Sequence, residues 1–299
     1  MTKKVALLFI HGMGELFEAE FQAQVEQIVR TLRDDLSNPI EFVHVGRIFY
    51  QDILQNRQVE VFQRLQAEGN LDWLALREFL LFGFSDAASL EYRAYEPGSE
   101  YEQAQLRILA ALDAAYEALS GPNQPVVIMA QSLGSHIISN YLWDAQTAAP
   151  TQGVWRPDGP ASTPLNADHD NFRRLKTLKF ILTTGCNIPI FTAGKRSIQA
   201  VKTRSDGYDI TWHNYYDADD VLGWPLRPLG QFFNPAGEGS AYNEAVDQDI
   251  EMNVRGGLLD WATESWNPLS HRNYWRDGRI IQALAAQVDA LLSVEQWPV

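Results

Sequence analysis

Residues 125–136 read Pro-Val-Val-Ile-Met-Ala-Gln-Ser-Leu-Gly-Ser-His, an apolar run that gives way at Ser132 to a helix-forming stretch. No other segment constrains the fold as much. A short apolar run with a polar boundary is a buried strand, and the residues after it continue as a helix, so Ser132 stands at the apex of a sharp strand-to-helix turn. Such a turn tolerates only small residues two places either side of its apex, since larger side chains would collide across it. Ala130 and Gly134 meet that requirement. The turn lifts the Ser132 hydroxyl clear of the sheet. The helix start then presents backbone N–H groups and the positive end of its dipole to developing negative charge. An acyl-transfer nucleophile needs that environment. A small-x-Ser-x-Gly pentapeptide alone is equally at home in a surface turn, so the weight falls on its surroundings.

Upstream, Val5 to Ile10 is another continuous apolar run, ending at His11-Gly12-Met13-Gly14 and followed by an amphipathic pattern of Phe21, Val25, Ile28, Val29 and Leu32. That is strand, glycine turn, helix. Residues 41–50 form a second strand, and the repeated alternation predicts a mostly parallel, doubly wound sheet with helices on both faces. Between residues 51 and 96 the alternation stops. A helical segment there carries Leu71, Trp73, Leu74, Leu76, Phe79, Leu80, Leu81, Phe82 and Phe84, and reads as a helical insertion or lid. Residues 99–120 are a patterned helix with Ser99 as N-cap and Gly121-Pro122 beyond its end. After the elbow helix, residues 148–171 are a Pro, Gly, Ser and Asp-rich loop. Strands follow at 175–184, 210–216 and 249–254, and a last helix at 274–292.

The chain has 299 residues with 45% hydrophobic content, enough for one α/β domain spanning 1–299. Its 24 Lys+Arg against 38 Asp+Glu leave a net charge of −14, which repels nucleic acid and disfavours an anionic membrane surface. The single cysteine, Cys186, excludes an internal disulfide framework and points to a reducing, cytoplasmic setting. No stretch approaches the roughly 18 apolar residues of a membrane span, and the short run after Lys4 lacks a cleavage site. There is no His-Glu-x-x-His helix and no Cys/His ligand spacing, so neither a metal nor another cofactor is expected.

A serine hydroxyl becomes nucleophilic when a histidine, oriented by a carboxylate, takes its proton. In a doubly wound sheet such partners follow the C-terminal ends of strands, where ligands bind. His271 is the histidine in that kind of place, in the Asn267-Pro268 turn segment before the last helix. His44 lies upstream, His136 on the elbow helix, His169 in the polar loop and His213 within a strand; these read as core or surface residues. The acid comes from Asp217, Asp219 or Asp220, clustered beyond the 210–216 strand. The order Ser, acid, His suits the architecture. The Leu133 N–H supplies one oxyanion donor. The turn of His11, Gly12 and Gly14 supplies the other through Met13, because flanking glycines let the backbone approach substrate. No Gly-Lys-Ser/Thr follows that turn, so it is not a phosphate loop. Cys186 has no base nearby in sequence and reads as a small buried residue.

Together these residues resemble the α/β-hydrolase superfamily, specifically its lipase and esterase-like serine hydrolases. The His11–Gly14 turn resembles the family's oxyanion loop. Ala130-Gln131-Ser132-Leu133-Gly134 resembles its nucleophile elbow, with Ala in place of the usual first Gly. Asp219-Asp220-Val221-Leu222 with Pro225 is similar to its acid loop, where the Asp precedes Val or Ile by two residues, and that register selects Asp219. His271 with Tyr274-Trp275 is similar to its histidine loop. The resemblance spans residues 5 to about 293. It implies an α/β-hydrolase fold that begins at the oxyanion strand, with the family's first two antiparallel strands truncated; residues 51–96 have no counterpart. It implies hydrolysis of a small-molecule carboxylic ester, and the apolar insertion points to a lipid-like acyl chain. Thioester or amide cleavage would use the same constellation. The alternative is a non-catalytic module of this fold that binds a protein or hydrophobic ligand. Oligomeric state is not legible.

Overall fold

The computed structural model describes residues 2–13, 16–163, 165–232, 239–252, 273–294 and 297. Six strands, β1 (Val5–Ile10), β2 (Val43–Ile48), β3 (Val126–Gln131), β4 (Leu178–Thr184), β5 (Thr211–Tyr216) and β6 (Gln248–Glu251), form one sheet in the order β2-β1-β3-β4-β5-β6. Every pair in it is parallel. This is the α/β architecture that the alternation predicts, with each strand at or within a residue or three of its expected bounds.

The sheet is covered on both faces, as parallel sheets are. Alternate residues of β1 divide between two cores: Ala6, Leu8 and Ile10 enter one, Val5, Leu7 and Phe9 the other. The second core is closed by α1 (Glu18–Asp35), through Phe21, Val25, Ile28 and Leu32, and by α9 (Gly278–Leu292), through Ile280, Ile281, Leu284 and Val288. The first core is closed by α4 (Glu100–Ala118) and α5 (Leu133–Gln146). Ser99 caps α4, its hydroxyl accepting from the Glu102 N–H at 3.3 Å.

Residues 51–96 resolve into two helices, α2 (Gln51–Glu68) and α3 (Leu74–Glu91), packed on each other and on α4. Phe62 and Phe82 meet edge to face between them, with centroids 6.0 Å apart. Tyr50, Leu54 and Leu90 carry this pair into the first core. The interior of the pair also holds a carboxylate: Asp86, fully buried, accepts from Gln51 Nε2 at 3.1 Å and Gln58 Nε2 at 2.6 Å. The polar loop after α5 contains α6 (Ala167–Arg173), started by an Asn166 cap on the His169 N–H at 2.9 Å. Two short helices, α7 (Ile188–Thr192) and α8 (Tyr242–Ala245), follow β4 and precede β6. Among the described residues no helix is long and apolar enough to cross a membrane.

Candidate active site

β3 ends at Gln131 and α5 begins at Leu133, so Ser132 makes the whole turn by itself. Its backbone sits at φ 51°, ψ −122°, a region that L-residues enter at a cost because Cβ crowds the neighbouring peptides. Packing from both adjacent strands holds it there. From β4, the Thr184 carbonyl accepts the Ser132 N–H at 2.9 Å. From β1, the chain crosses so close that a Cβ at Gly12 would lie 2.9 Å from Ser132 Cβ. A Cβ at Gly134 would lie 2.9 Å from the Ile10 carbonyl oxygen and closer still to that of His11. The small-residue requirement read from the pentapeptide is therefore a backbone contact between α5 and the end of β1. Ser132 itself is fully buried.

Leu133 is the first residue of α5, and an N–H there has no helical partner. Gly12 and Met13 lead the chain off β1 beside Ser132, while Gly14 lies outside the described residues. The loop is anchored by His11. The nearly fully buried imidazole stacks on Tyr50, with centroids 4.1 Å apart and planes 11° apart, and meets Phe21 edge to face. Its Nδ1 donates to the Gly12 carbonyl at 2.7 Å and its Nε2 accepts the Tyr50 N–H at 3.2 Å. The Tyr50 hydroxyl donates to the His11 carbonyl at 2.9 Å. Burial lowers the imidazole pKa to about 4, so the ring is neutral near pH 7 with both nitrogens occupied. It shapes the loop and takes no proton. Across the loop, Gly83 of α3 lies against the Met13 thioether, where a Cβ would come within 2.7 Å of Sδ.

Beyond β5 the three acidic candidates separate. Asp219 is exposed, whereas Asp217 and Asp220 are buried. Tyr274 joins the buried two: its hydroxyl accepts the Asp217 N–H at 2.9 Å and donates to Asp220 Oδ2 at 2.9 Å. Burial, with the carboxylates beside it, pushes the Tyr274 phenol well above its ordinary range. Asp217 Oδ1 accepts the Asp219 N–H at 2.9 Å, and Asp220 Oδ1 the Leu222 N–H at 3.0 Å. His271 lies outside the described residues. Its neighbour Trp275 donates through Nε1 to Thr184 Oγ1, at the end of β4, at 3.1 Å.

Two groups make contacts that the sequence motifs do not show. Asn187, just past β4, is fully buried and its Nδ2 donates to Ser132 Oγ at 3.4 Å. The rule that site residues follow strand ends applies to it as it does to Cys186. Tyr274 is the other, and only the fold brings it to the acid loop. Cys186 is buried as expected, and burial pushes its thiol up to about 12. The remaining described histidines are engaged elsewhere or sit within strands. His136 Nε2 is 2.8 Å from Glu91 Oε1 with its ring stacked on Phe191. His169 Nε2 is 2.9 Å from Asp113 Oδ1. His44 and His213 are partly buried within β2 and β5.

No family model matches the chain, and no curated protein matches it. Among solved structures it is similar to an iodinated complex of acetyl xylan esterase, with 12% sequence identity and a TM-score of 0.39 over 98% of each chain.

Proposed function

We propose that the chain is a serine hydrolase that cleaves carboxylic esters through an acyl-enzyme. The observation that carries this reading is the backbone of Ser132: an L-residue at φ 51°, over-determined by contacts from β1 and β4, with a hydroxyl at the head of a helix. Strain of this kind persists where function requires it. In the first half-reaction His271 takes the Ser132 proton while Oγ forms a bond to the ester carbonyl carbon. The Met13 and Leu133 N–H groups receive the oxyanion, and collapse breaks the C–O bond to the alcohol, which leaves with the proton from His271. Water then repeats the sequence on the acyl-enzyme, releasing the acid and restoring Ser132.

Two observations support His271 as the base. Each of the five other histidines is either bonded elsewhere or within a strand, and His11 has both nitrogens filled. Tyr274, three residues beyond His271, is bonded to the acid loop. For the acid, the register of the resemblance favours Asp219, but an orienting carboxylate works from a buried position, which favours Asp217 and Asp220.

Active-site labelling by a fluorophosphonate tests the reading. Wild type is labelled at Ser132, and Ser132→Ala and His271→Ala are not; absence of labelling in folded wild type refutes it. Asn substitution of each Asp in turn identifies the acid as the one whose loss lowers kcat by roughly 10⁴.

A further inference from the structure

Asn187 occupies a position where asparagine has an ordinary task, and it does not perform it. It is the N-cap residue of α7, and an Asn there normally accepts a hydrogen bond from the first turn of its helix. Its side chain makes no such bond, because Pro189 brings no N–H and the Ile190 N–H goes to the Asn187 carbonyl at 3.0 Å. Its backbone sits at φ −108°, ψ 14°, in the sparsely populated bridge region common among active-site residues. The amide turns instead toward the elbow, where Nδ2 donates to Ser132 Oγ at 3.4 Å and Oδ1 is buried without a partner. A buried oxygen left unpaired loses its water for nothing, a cost that Gln51 Oε1 and Gln58 Oε1 also bear in the helix pair. With no cap to make, Asn187 leaves its acceptor unpaired while touching the Ser132 hydroxyl.

We propose that Asn187 reads the substrate: its N–H holds Ser132 Oγ, and its Oδ1 accepts a hydrogen bond from a hydroxyl on the carbon beside the scissile carbonyl. The preferred acyl groups are therefore 2-hydroxyacyl. The two heteroatoms of an amide share one carbon, so Oδ1 lies next to the atom that touches Oγ. Once Oγ is bonded to the carbonyl carbon, the first acyl atom able to carry a donor to Oδ1 is the substituent on the adjacent carbon. A plain alkyl chain brings no donor and leaves Oδ1 unpaired. Nδ2 meanwhile donates to Oγ rather than accepting from it, which leaves the hydroxyl proton for the base. Ser132 and Asn187 are both fully buried. The inference rests on Ser132 being the nucleophile.

The test compares 4-nitrophenyl 2-hydroxybutanoate with 2-methoxybutanoate and butanoate on the full chain. The methoxy ester keeps the inductive pull and the bulk of the hydroxyl but donates nothing. In wild type kcat/KM for the hydroxy ester exceeds that for the methoxy ester by at least about tenfold, the worth of one buried hydrogen bond. Asn187→Leu brings the ratio close to one. A wild-type ratio near one, a ratio that survives in Asn187→Leu, or equal loss on all three esters overturns the proposal. The wild-type ratio decides even if the leucine variant does not fold. Failure of the nucleophile reading looks different: no ester is turned over and Ser132 is not labelled, and the inference falls with it.

Discussion

Replacing Ser132 by glycine and, separately, by alanine isolates the strain at the elbow. At φ 51°, ψ −122° a residue with a Cβ costs on the order of 1–3 kcal/mol, and glycine, with no Cβ, is free of that cost. Both variants lose the hydroxyl and the Asn187 hydrogen bond, so those losses cancel in the comparison. Glycine carries a larger unfolded-state entropy, about 0.5–1 kcal/mol against alanine. Strain relief outweighs it, and Ser132→Gly is more stable than Ser132→Ala by roughly 1 kcal/mol. For a chain of 299 residues that is a Tm about 2 °C higher. Equilibrium urea unfolding followed by tryptophan fluorescence reads it as a higher midpoint at unchanged m-value. If the glycine variant equals the alanine variant or falls below it, the elbow is relaxed, and strain cannot be offered as evidence that Ser132 reacts.

Gly134→Ala drives a Cβ to 2.9 Å from the Ile10 carbonyl oxygen. Backbone cannot step aside as a flexible side chain does, so the variant loses roughly 2–3 kcal/mol despite its better helix propensity. Gly278→Ala, with nothing within 4 Å, stays within about 0.5 kcal/mol of wild type, and equal melting of the two variants refutes the contact. His11 and Asp144 give stability opposite pH dependences. Burial lowers His11 from 6.5 to about 4, so the unfolded chain binds a proton that the native state refuses, and stability falls as pH drops through that window. Burial raises Asp144 from 3.8 to about 6, so its contribution is greatest in acid and is lost as pH rises through 6. Each is worth about 3 kcal/mol, so urea titrations between pH 4 and 6.5 find a shallow wild-type profile. The profile tilts toward acid stability in His11→Gln and toward neutral stability in Asp144→Asn; unchanged slopes refute the assignment. The Cys186 thiol, buried and pushed up to about 12, stays unreactive to a disulfide reagent at pH 8 until the chain is unfolded, and prompt native reaction contradicts its burial.

The strands were legible because a parallel sheet buried on both faces needs continuous apolar runs, and β1 and β3 are unbroken ones. The elbow was legible because its small residues lie within five positions, although the contact that demands Gly134 comes from the end of β1. What depends on distant partners was not. Residues 71–84 look mostly apolar, and the carboxylate knot of the helix pair is invisible because Gln51 and Gln58 are 35 and 28 residues from Asp86. The acid cluster failed to resolve for the same reason. Tyr274 holds Asp220 Oδ2 from 54 residues away, while Asp219 stays outside. Local register does not show which of these neighbouring carboxylates is buried. Asn187 carries no motif in sequence, and only the structure shows its amide turned to Ser132 Oγ.

The strand order also fixes which side of Ser132 each group occupies. β3 lies between β1 and β4, so the Gly12–Met13 turn approaches the elbow from one flank and Asn187 from the other. A carbonyl carbon bonded to Oγ carries three other groups: the oxyanion, the acyl carbon and the leaving oxygen. If its oxygen turns toward the N–H groups of Met13 and Leu133 on the β1 side, a 2-hydroxyacyl preference requires the acyl carbon, and not the leaving oxygen, to face Asn187 on the β4 side. In that placement the Asn187 acceptor meets the acyl group and not the leaving alcohol. That distinction is measurable: moving the hydroxyl from the acid to the alcohol of an ester, as in 2-hydroxyethyl butanoate against 2-methoxyethyl butanoate, abolishes the Asn187-dependent preference. A preference that follows the hydroxyl onto the alcohol would mean that the substrate lies across the sheet edge in the reverse sense.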